Sequence, residues 1–265
     1  MKKVLVIGGN GFIGSHLRFE KSEYRLENNE GQIREVISHY NPDVVINSTG
    51  YCGVPNVDDC ELKKEKTFLS NVTIPLLLAS ECSKRGARMV HIGSGCIFYG
   101  QSPGANGWTE EDFANPSSFY SKTKYAADLV LGKLDHVSIL RIRMPLSSKK
   151  HPRNLLSKLV KYENVLHEFN SMTSVDDLVR CIDWVIDNEK SGIYNVTNPE
   201  PMSPALLMKE YQKHNPEHKF NMIDVSALDK ITKAKRSNCI LDTTKINEEG
   251  FFMTASSEVI ENLFK

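Results

Sequence analysis

Tyr120 and Lys124 stand four residues apart near the start of a stretch with helical periodicity. Residues at this spacing share one face of a helix, so the lysine ammonium could lie beside the phenol. A nearby ammonium lowers the pKa of a phenol, which would let Tyr120 give a proton to a carbonyl group that receives a hydride. Ser94 follows the apolar segment 89–92 and could hydrogen-bond the same oxygen. The three residues predict a ketone-reducing site; a packing tyrosine with a solvated lysine is the alternative.

Cys96 lies two residues after Ser94, in a loop where its thiol would project toward a bound substrate. A lone cysteine is more often a buried and inert side chain, so the residue pattern leaves both interpretations open. The six cysteines of the chain are scattered without CxxC pairs or zinc-type spacing. In a chain of this length, that pattern predicts reduced thiols and no metal site.

A glycine-rich turn follows the first apolar segment, with Gly8, Gly11 and Gly14 around Phe12 and Ile13. In a dinucleotide site the first glycine permits the turn, the second lets the backbone approach the pyrophosphate, and the third allows close packing of helix on strand. Glycines also gather in ordinary turns. The strand before this turn and the helical pattern after it favour a dinucleotide cofactor, with its phosphates at a helix N-terminus.

The segment after Gly14 is shorter than in an ordinary dinucleotide fold, where the residue that contacts the adenosine ribose lies about 20 residues beyond the motif. We expect a helix over 12–20, about 13 Å long, and a brief strand near 23–25. Arg25 is the candidate for a 2′-phosphate, because a guanidinium binds phosphate through paired, charge-assisted hydrogen bonds. This predicts NADPH, with NADH as the alternative cofactor and a solvated surface position as the alternative for Arg25.

Strand-like and helix-like segments alternate up to Asn198, and a proline-rich tail follows. The alternation predicts an α/β fold of Rossmann type, a doubly wound parallel sheet with helices on both faces and a smaller C-terminal lobe. We expect a dinucleotide-binding lobe over 1–146 and 171–198 and a substrate-binding lobe over 147–170 and 199–265, in one integrated domain. The predicted strands are 4–7, 44–46, 89–92, 137–142 and 192–196, and the predicted helices are 32–40, 61–85 with a kink or break at Pro75, 121–134 and 175–188.

The charge and hydropathy of the chain argue against some partners. Lysine plus arginine equals aspartate plus glutamate, 33 each, in 265 residues. A nucleic-acid-binding protein normally has a basic excess on one face, so we expect no nucleic-acid partner. The apolar run after the first three residues is short, whereas a signal peptide needs roughly 7–15 apolar residues and a membrane span about 20. We therefore expect a cytoplasmic protein without a membrane partner.

The sequence resembles the dTDP-4-dehydrorhamnose reductase branch of the extended short-chain dehydrogenases/reductases. A closer resemblance is to the bifunctional UDP-4-keto-6-deoxyglucose 3,5-epimerase/4-reductases of UDP-L-rhamnose synthesis. It runs in order through nearly the whole chain. The residues that carry it are the glycine turn, the Tyr120/Lys124 pair and the segments 25–28, 53–61, 95–98, 119–124, 140–145, 152–154, 170–173, 192–195 and 236–238.

The resemblance implies a role for each matched position. Ser94, Tyr120 and Lys124 match the reductase triad, and Cys96 and Lys158 match the acid–base pair of epimerisation. Cofactor contacts are implied for Ser48, Thr49, Gly50 and Met144, as well as for Tyr120 and Lys124. Contacts with a nucleotide-sugar substrate are implied for Ser94, Cys96, Arg153, Asn154, Met172 and Arg236. A surface role is the alternative for the two arginines and Asn154.

The activity implied by the resemblance is NADPH-dependent 3,5-epimerisation and 4-keto reduction of UDP-4-keto-6-deoxyglucose to UDP-L-rhamnose. Two alternatives stay open: a 4-ketoreductase alone, acting on a dTDP- or GDP-linked sugar, and a non-catalytic NADP-binding regulatory subunit. The intact Ser94, Tyr120 and Lys124 argue against the second. Relatives of this kind often dimerise through the helix that carries the tyrosine, so residues 125–131 predict either a homodimer contact or ordinary core.

Overall fold

The computed structural model describes residues 2–26 and 29–265. Glu27 and Asn28, which end the matched segment 25–28, lie outside the described residues. The strands are β1 (Val4–Ile7), β2 (Glu20–Lys21), β3 (Val44–Asn47), β4 (Arg88–Ser94), β5 (Val137–Ile142), β6 (Pro145–Leu146), β7 (Asn164–Leu166), β8 (Thr173–Ser174), β9 (Gly192–Asn195) and β10 (Asn221–Ile223). Six of them form a parallel sheet in the order β2-β1-β3-β4-β5-β9.

Helices cover both faces of this sheet and build the smaller lobe. They are α1 (Glu30–Tyr40), α2 (Asp58–Leu62), α3 (Lys64–Phe68), α4 (Ile74–Lys84), α5 (Phe119–Leu131), α6 (Leu155–Leu159), α7 (Val175–Asp187), α8 (Pro204–His214), α9 (Val225–Ile231), α10 (Thr244–Glu248) and α11 (Ser256–Leu263). The predicted α/β fold with a parallel Rossmann-like sheet is confirmed. None of the helices in the described ranges is long and apolar enough to cross a membrane.

The central strands are mostly apolar and buried because both faces of the sheet are covered. Successive residues of a strand point to opposite faces. Val4 and Val6 of β1 pack into the core beneath α7, together with Ile182. Leu5 and Ile7 pack into the opposite core, which α1, α4 and α5 cover. This two-sided burial is the doubly wound arrangement that the sequence predicts.

The strand order opens a crevice beside β1. The chain leaves β1 toward β2 and returns on its other side as β3, and such a reversal is where doubly wound proteins bind ligands, at the carboxyl ends of the strands. Gly8 follows β1 and Ser48 follows β3. Ser94 ends β4, while Arg143 and Met144 follow β5. The sheet thus brings cofactor and catalytic candidates to one edge.

The first crossover differs from the prediction. In place of a helix over 12–20 and a strand near 23–25, the structure has a single 3₁₀ turn, Gly14–His16, and then β2. The reason is the pairing of β2 with β1, which takes up the residues that a longer helix would need. Leu17 leaves the turn in an extended conformation and packs into the core beneath α7. The prediction of a full helix N-terminus at the phosphate turn is therefore wrong.

The predicted helix over 61–85 is interrupted rather than continuous. The short helices α2 and α3 are followed by a π turn, Leu69–Thr73, before α4 begins. The backbone stays helical from this π turn into α4, and the turn ends two residues before Pro75. Because proline has no N–H to donate, it disturbs the regular hydrogen bonding there, and the predicted kink or break is found as a π turn.

The smaller lobe has its own core. Two short parallel ladders, β6–β8 and β7–β10, lie with α6, α8 and α11 around a cluster that includes Leu159 and Leu207. The C-terminal segment does not stay wholly in this lobe. Ile246, Phe251 and Met253 pack into the core beneath α7. Residues around 246–253 therefore cover the main sheet, which differs from the predicted lobe of 199–265.

Candidate active site

Glycines close the turn after β1 tightly. Gly8 has a φ of +84°, a left-handed conformation that glycine adopts without strain. The Gly11 N–H donates to the Gly8 carbonyl over 3.0 Å. A Cβ on Gly14 would lie 2.4 Å from that carbonyl oxygen and 2.8 Å from Oγ of Ser48. Gly14 thus allows close packing beside β1, which is the role that the sequence predicts for the third glycine.

The outer side of the same turn is open. A Cβ on Gly11 would meet, among the described residues, only the Gly8 carbonyl oxygen at 3.2 Å. Ser48 fastens the end of β3 to the turn, because its Oγ lies 2.9 Å from the carbonyl oxygen of Ile7 and 3.1 Å from that of Gly8. A backbone held in place and open at Gly11 fits the close approach of a pyrophosphate.

Other predicted cofactor contacts lie around this turn. Phe12 stacks on His151 with ring centroids 4.9 Å apart, and Ile13 packs against the core beneath α7. Gly50 lies beside the buried Asn71, since a Cβ on it would be 3.3 Å from Oδ1. Met144 follows β5 in a left-handed conformation. Their contact with a cofactor stays a prediction.

The adenosine end of the crevice has two candidate cations. Arg25 is exposed, four positions beyond the end of β2. Lys21 ends β2, and its aliphatic carbons would lie 2.7–2.9 Å from a Cβ on Gly9. Because ligands of this fold bind at the carboxyl ends of the strands, the short crossover makes Lys21 a second candidate, which the sequence analysis did not select.

Tyr120 and Ser94 meet at the carboxyl end of β4. Tyr120 is half-buried in the first turn of α5. Burial raises the pKa of its phenol, the nearby charges of Cys96 and Cys52 add to the rise, and a hydrogen bond with Ser94 opposes it. Ser94 Oγ also accepts the Cys96 N–H over 3.2 Å, which caps the 3₁₀ turn that follows. The hydroxyl of Tyr120 therefore lies among a serine and two thiols.

Lys124 is buried one turn further along α5. Its Nζ lies 3.0 Å from the carbonyl oxygen of Ile92 and 3.2 Å from Nε2 of His91. Burial lowers the pKa of Lys124, and Asp128 on the next turn opposes this. The expectation that Lys124 lowers the pKa of the Tyr120 phenol is not met in this structure, because the amine is engaged beneath the sheet edge.

A buried chain of polar groups continues from Lys124. His91 and Asn47 are direct neighbours across β4 and β3, and Asn47 Nδ2 lies 3.1 Å from His91 Nδ1. Thr49 donates to Asn47 Oδ1 from its N–H over 3.0 Å and from its hydroxyl over 2.6 Å. Burial and the adjacent Lys124 hold the pKa of His91 well below its usual value, so the ring is neutral. This chain joins the loop after β3 to the lysine.

Cys96 is half-buried above a fully buried arginine. Nη1 of Arg143 lies 3.2 Å from the Cys96 sulfur and 2.7 Å from Oγ of Ser237, and Nη2 donates to Asn170. A Cβ on Gly95 would lie 2.4 Å from Leu241 and 2.9 Å from Cγ and Cδ of Arg143, so glycine leaves room for both side chains. Of the two interpretations of Cys96, the geometry favours a thiol in a polar, cationic setting.

Lys158 on α6 lies within electrostatic range of Cys96. Burial lowers the pKa of Lys158, the charges of Cys52 and Cys96 raise it, and Arg153 and Arg236 lower it. The predicted epimerase pair and both predicted arginines are therefore near one another. Cys52, which the sequence analysis gave no role, belongs to the same group.

Arg236 ties the C-terminal segment to the loop before α2. Its Nη1 lies 2.8 Å from Oδ1 of Asp58, and Nη2 lies 3.3 Å from Oδ1 of Asn56. Burial opposes ionisation of Asp58, but the hydrogen bond and charge of Arg236, together with backbone hydrogen bonds from Ala234 and Lys233, outweigh it and lower the pKa of the carboxyl. Arg236 is thus anchored, and its contact with a substrate stays a prediction.

Two predicted substrate residues have other partners. Asn154 is buried, accepts the Ser147 N–H over 3.2 Å, and donates to the carbonyls of Ser147 and Lys149 over 2.6 and 2.9 Å. Met172 is fully buried in the core of the smaller lobe. In this structure the Asn154 amide holds a loop and the Met172 thioether is enclosed by apolar side chains. Their contact with a substrate stays a prediction.

The sequence family described as the RmlD substrate-binding domain matches residues 1–263. The chain belongs to this family. The match includes the glycine turn, the Ser94–Tyr120–Lys124 group and Lys158.

Two curated relatives of this RmlD-family chain come from Arabidopsis thaliana. A bifunctional dTDP-4-dehydrorhamnose 3,5-epimerase/dTDP-4-dehydrorhamnose reductase is 34% identical over 261 residues, which cover 92% of this chain and 86% of the relative. A trifunctional UDP-glucose 4,6-dehydratase/UDP-4-keto-6-deoxy-D-glucose 3,5-epimerase/UDP-4-keto-L-rhamnose-reductase is 35% identical over 93% of this chain. The chain spans only 39% of the length of that trifunctional relative.

Solved structures share the fold over the full length. The L780 UDP-rhamnose synthase from Acanthamoeba polyphaga mimivirus has a TM-score of 0.92 and 27% identity, covering 99% of this chain and 98% of its own. A dTDP-4-dehydrorhamnose reductase from Bacillus anthracis in complex with NADP has a TM-score of 0.86 over 100% of this chain and 99% of its own. At 22% identity, the second likeness concerns the fold alone.

Sequence reasoning missed three buried polar residues of this RmlD-family site. Asn47 and His91 interrupt strands that are otherwise apolar, and Arg143 follows the carboxyl end of β5. A buried polar side chain needs a partner, so each of these positions carries a signal. The signal does not name the partner, because the contacts depend on strand register.

Proposed function

We propose that this RmlD-family chain uses NADPH to reduce the 4-keto group of a nucleotide-linked 4-keto-6-deoxy sugar, and that it first epimerises the sugar at C3 and C5. The substrate we propose is UDP-4-keto-6-deoxyglucose, and the product is UDP-L-rhamnose. Support comes from the activities named for the two Arabidopsis relatives and from the residues that this chain brings together at its sheet edge.

Tyr120 is the proton donor in the proposed reduction. Its raised pKa keeps the phenol protonated at neutral pH, so it holds the proton that the carbonyl oxygen needs when C4 accepts a hydride. Ser94, which hydrogen-bonds the phenol, can donate to the same oxygen and stabilise the developing negative charge. NADPH supplies the hydride when bound, and the chain supplies orientation and proton transfer.

The crevice beside β1 holds the cofactor in this proposal. The open backbone at Gly11 accepts the pyrophosphate, and Ser48 keeps that turn in place. Lys124 binds the nicotinamide ribose from beneath Tyr120. Arg25 or Lys21 binds the adenosine 2′-phosphate.

Cys96 and Lys158 form the proposed acid–base pair of epimerisation. Carbons C3 and C5 flank the C4 ketone, so loss of a proton from either gives an enolate whose charge rests on the carbonyl oxygen. One group removes the proton from one face, the other returns a proton to the opposite face, and the centre is inverted. The two residues lie on different elements, the 3₁₀ turn after β4 and α6, and could reach opposite faces. Burial lowers the pKa of Lys158 below its ordinary value, and a perturbed pKa of this kind is typical of groups that exchange protons in a site.

The shared environment of Cys96 carries the proposal. Its N–H bonds Ser94, which hydrogen-bonds the Tyr120 phenol, and Cys96 also contributes to the pKa shift of Lys158. This proximity supports a single ketone site that serves both reduction and epimerisation. A cysteine enclosed by apolar core would not connect the two groups.

The test is incubation with UDP-4-keto-6-deoxyglucose and NADPH in D₂O, followed by NMR of the sugar. We expect deuterium at C3 and C5 and a reduced C4. Cys96→Ala should lose the deuterium, whereas Tyr120→Phe should keep it and block reduction. Unchanged reduction in Tyr120→Phe would overturn the proton-donor role. A product reduced at C4 without deuterium would leave a 4-ketoreductase and remove the epimerase.

We also propose that two copies pair through α5. Leu129 and Val130 are about half exposed on this helix, whereas Ala127 and Leu131 lie in the core. Only part of the predicted face is therefore free for a partner. Light scattering of the wild type and of Leu129→Lys tests it, and a monomeric wild type would contradict it.

A further inference from the structure

Asn47, His91 and Lys124 form a continuous buried chain under the site. Their exposed fractions are 0%, 0% and 4%, so water does not compete for their hydrogen bonds. The successive contacts are 3.1 Å from Asn47 Nδ2 to His91 Nδ1 and 3.2 Å from His91 Nε2 to Lys124 Nζ. In such a chain, the donor or acceptor role at one end fixes the roles along it.

The orientation of the Asn47 amide is fixed by Thr49. The backbone N–H of Thr49 can only donate, and it lies 3.0 Å from Oδ1 of Asn47. The Thr49 hydroxyl donates to the same oxygen over 2.6 Å. The amide NH₂ of Asn47 must therefore face His91 and donate to Nδ1.

A ring that accepts at Nδ1 carries its proton on Nε2 when it is neutral. His91 is neutral because its complete burial holds its pKa well below the usual value. Nε2–H then points at Nζ of Lys124, which is itself a donor to the Ile92 carbonyl over 3.0 Å. A free amine can do both, since its lone pair accepts from His91 while one N–H donates to Ile92. An ammonium would place two donors against each other.

The other charged and titratable groups near Lys124 do not reverse this preference. Asp128, Cys52 and Cys96 each favour the ammonium. Asp128, however, is paired with the buried Arg141 over 2.9 Å. Burial outweighs all three, so the pKa of Lys124 stays below its ordinary value.

We propose that His91, with its tautomer set by Asn47, is a positioning residue that holds Lys124 as a free amine until NADP(H) binds. When the nicotinamide ribose offers oxygen acceptors, Nζ takes one proton from solvent and turns from the ring to the ribose. Cofactor binding is then linked to the uptake of one proton, and the loop after β3, through Thr49, is coupled to the lysine. The inference rests on the proposed function in taking Lys124 as the lysine that binds the ribose.

The first test reads the ring directly. Long-range ¹H–¹⁵N NMR of the free protein distinguishes the two tautomers and the imidazolium, and the signal lost in His91→Gln assigns the residue. We expect the Nε2–H tautomer across pH 6 to 8. The Nδ1–H tautomer or an imidazolium at pH 7 overturns the proposal. Because no substrate is present, a failure of the proposed sugar chemistry leaves this result untouched.

The second test inverts the tautomer. In Asn47→Asp the carboxylate accepts from Thr49 and also from Nδ1–H of His91, so Nε2 becomes an acceptor for an ammonium. Calorimetry of NADP⁺ binding in two buffers of different ionisation enthalpy counts the protons taken up. We expect uptake approaching one proton in the wild type above the pKa of the free enzyme's lysine, and loss of most of it in Asn47→Asp. His136→Gln changes a histidine outside the hydrogen-bonded group of Asn47, His91 and Lys124. It serves as the matched control and should keep the wild-type proton uptake.

Wild-type binding without proton uptake between pH 7 and 10 would overturn the proposal. Equal uptake in the wild type and Asn47→Asp would also overturn it. Should Asn47→Asp fail to fold, the ring spectrum and the wild-type proton count still decide. Cofactor binding with the expected proton uptake but no sugar turnover would support the tautomer and reject the proposed enzyme activity.

Discussion

Arg143 donates a hydrogen bond from Nη1 to the sulfur of Cys96 over 3.2 Å. The guanidinium is almost completely buried, and it is also bonded to Ser237 and Asn170. Charge-assisted hydrogen bonds are stronger than neutral ones. The contact fixes the Cys96 side chain in a polar setting that a cysteine in an apolar core would lack, which supports its proposed part in epimerisation.

Arg143→Met should slow deuterium uptake at C3 and C5 by about 10- to 100-fold, since loss of a charged hydrogen bond costs about 1.5–3 kcal/mol. Arg143→Lys keeps the charge and should retain more of the rate. The measurement is NMR of the 4-keto sugar in D₂O, with circular dichroism as the check on folding. Native exchange in a folded Arg143→Met protein would remove Arg143 from the mechanism.

The buried ion pair between Arg141 and Asp128 should matter far more to stability than an exposed pair. Its atoms lie 2.9 Å apart, and both side chains are almost inaccessible. Arg141→Met leaves a buried carboxyl group without its cation and should lower the free energy of unfolding by about 3–5 kcal/mol. The control is Arg18→Ala, which breaks the exposed pair with Asp183 and should cost about 0–1 kcal/mol. Urea unfolding measures both, and equal effects would contradict the prediction.

Gly14→Ala should disturb the phosphate turn. Its Cβ would lie 2.4 Å from the Gly8 carbonyl oxygen, so the backbone of the turn must shift. We expect a loss of about 1–3 kcal/mol in the free energy of unfolding, typical of overpacking, together with weaker NADPH binding. Gly104→Ala is the matched control, because its Cβ would meet its nearest neighbour at 3.7 Å. Fluorescence titration with NADPH that gives the same dissociation constant for both variants would contradict this prediction.

Cofactor selectivity should depend on the cation at the end of β2. If Lys21 meets the 2′-phosphate, Lys21→Ala should lower kcat/KM for NADPH by about 10-fold or more and leave that for NADH unchanged. Arg25→Ala is the paired variant and tests the position that the sequence analysis selected. Steady-state kinetics with both cofactors decide between them. An equal loss with NADPH and NADH would mean that the residue supports the turn and does not read the phosphate.

The sequence predicts the sheet well because its strands are buried on both faces. The strands at 4–7 and 137–142 are found at the predicted residues, since a short segment rich in buried apolar side chains favours a strand covered on both faces. The first crossover is different. Its short helix is replaced by a 3₁₀ turn because β2 pairs with β1, and this long-range pairing leaves little local trace.

In the site, too, residues set by local motifs are predicted and contacts set by long-range pairing are not. Ser94 and Tyr120 are found together because both follow from local motifs on adjoining elements. The Asn47–His91 contact depends on register between β3 and β4, and single-residue patterns do not report register. Resemblance alone selects Met172, and its burial in the core of the smaller lobe is a tertiary feature that no local motif reports.

The last prediction concerns pH and the buried ring of His91. Burial holds the pKa of this imidazole well below 6.5 in the folded state, whereas the unfolded chain has the ordinary value. Above pH 6.5 the ring is neutral in both states and makes no difference. Below pH 6.5 the unfolded chain binds a proton on this ring, whereas the folded chain does not. The free energy of unfolding therefore falls as the pH falls, by at most about 1.4 kcal/mol per pH unit.

His91→Gln removes this dependence. Between pH 7.5 and 5.5 the wild type should lose about 1 kcal/mol more stability than His91→Gln, as measured by urea unfolding. The control is His136→Gln. His136 lies outside the hydrogen-bonded group of Asn47, His91 and Lys124 and bonds the Ala79 carbonyl, so this variant should keep the wild-type dependence of stability on pH. Parallel pH profiles for the wild type and His91→Gln would mean that the folded protein accepts a proton on His91. A neutral His91 could then no longer explain how Lys124 is held as a free amine.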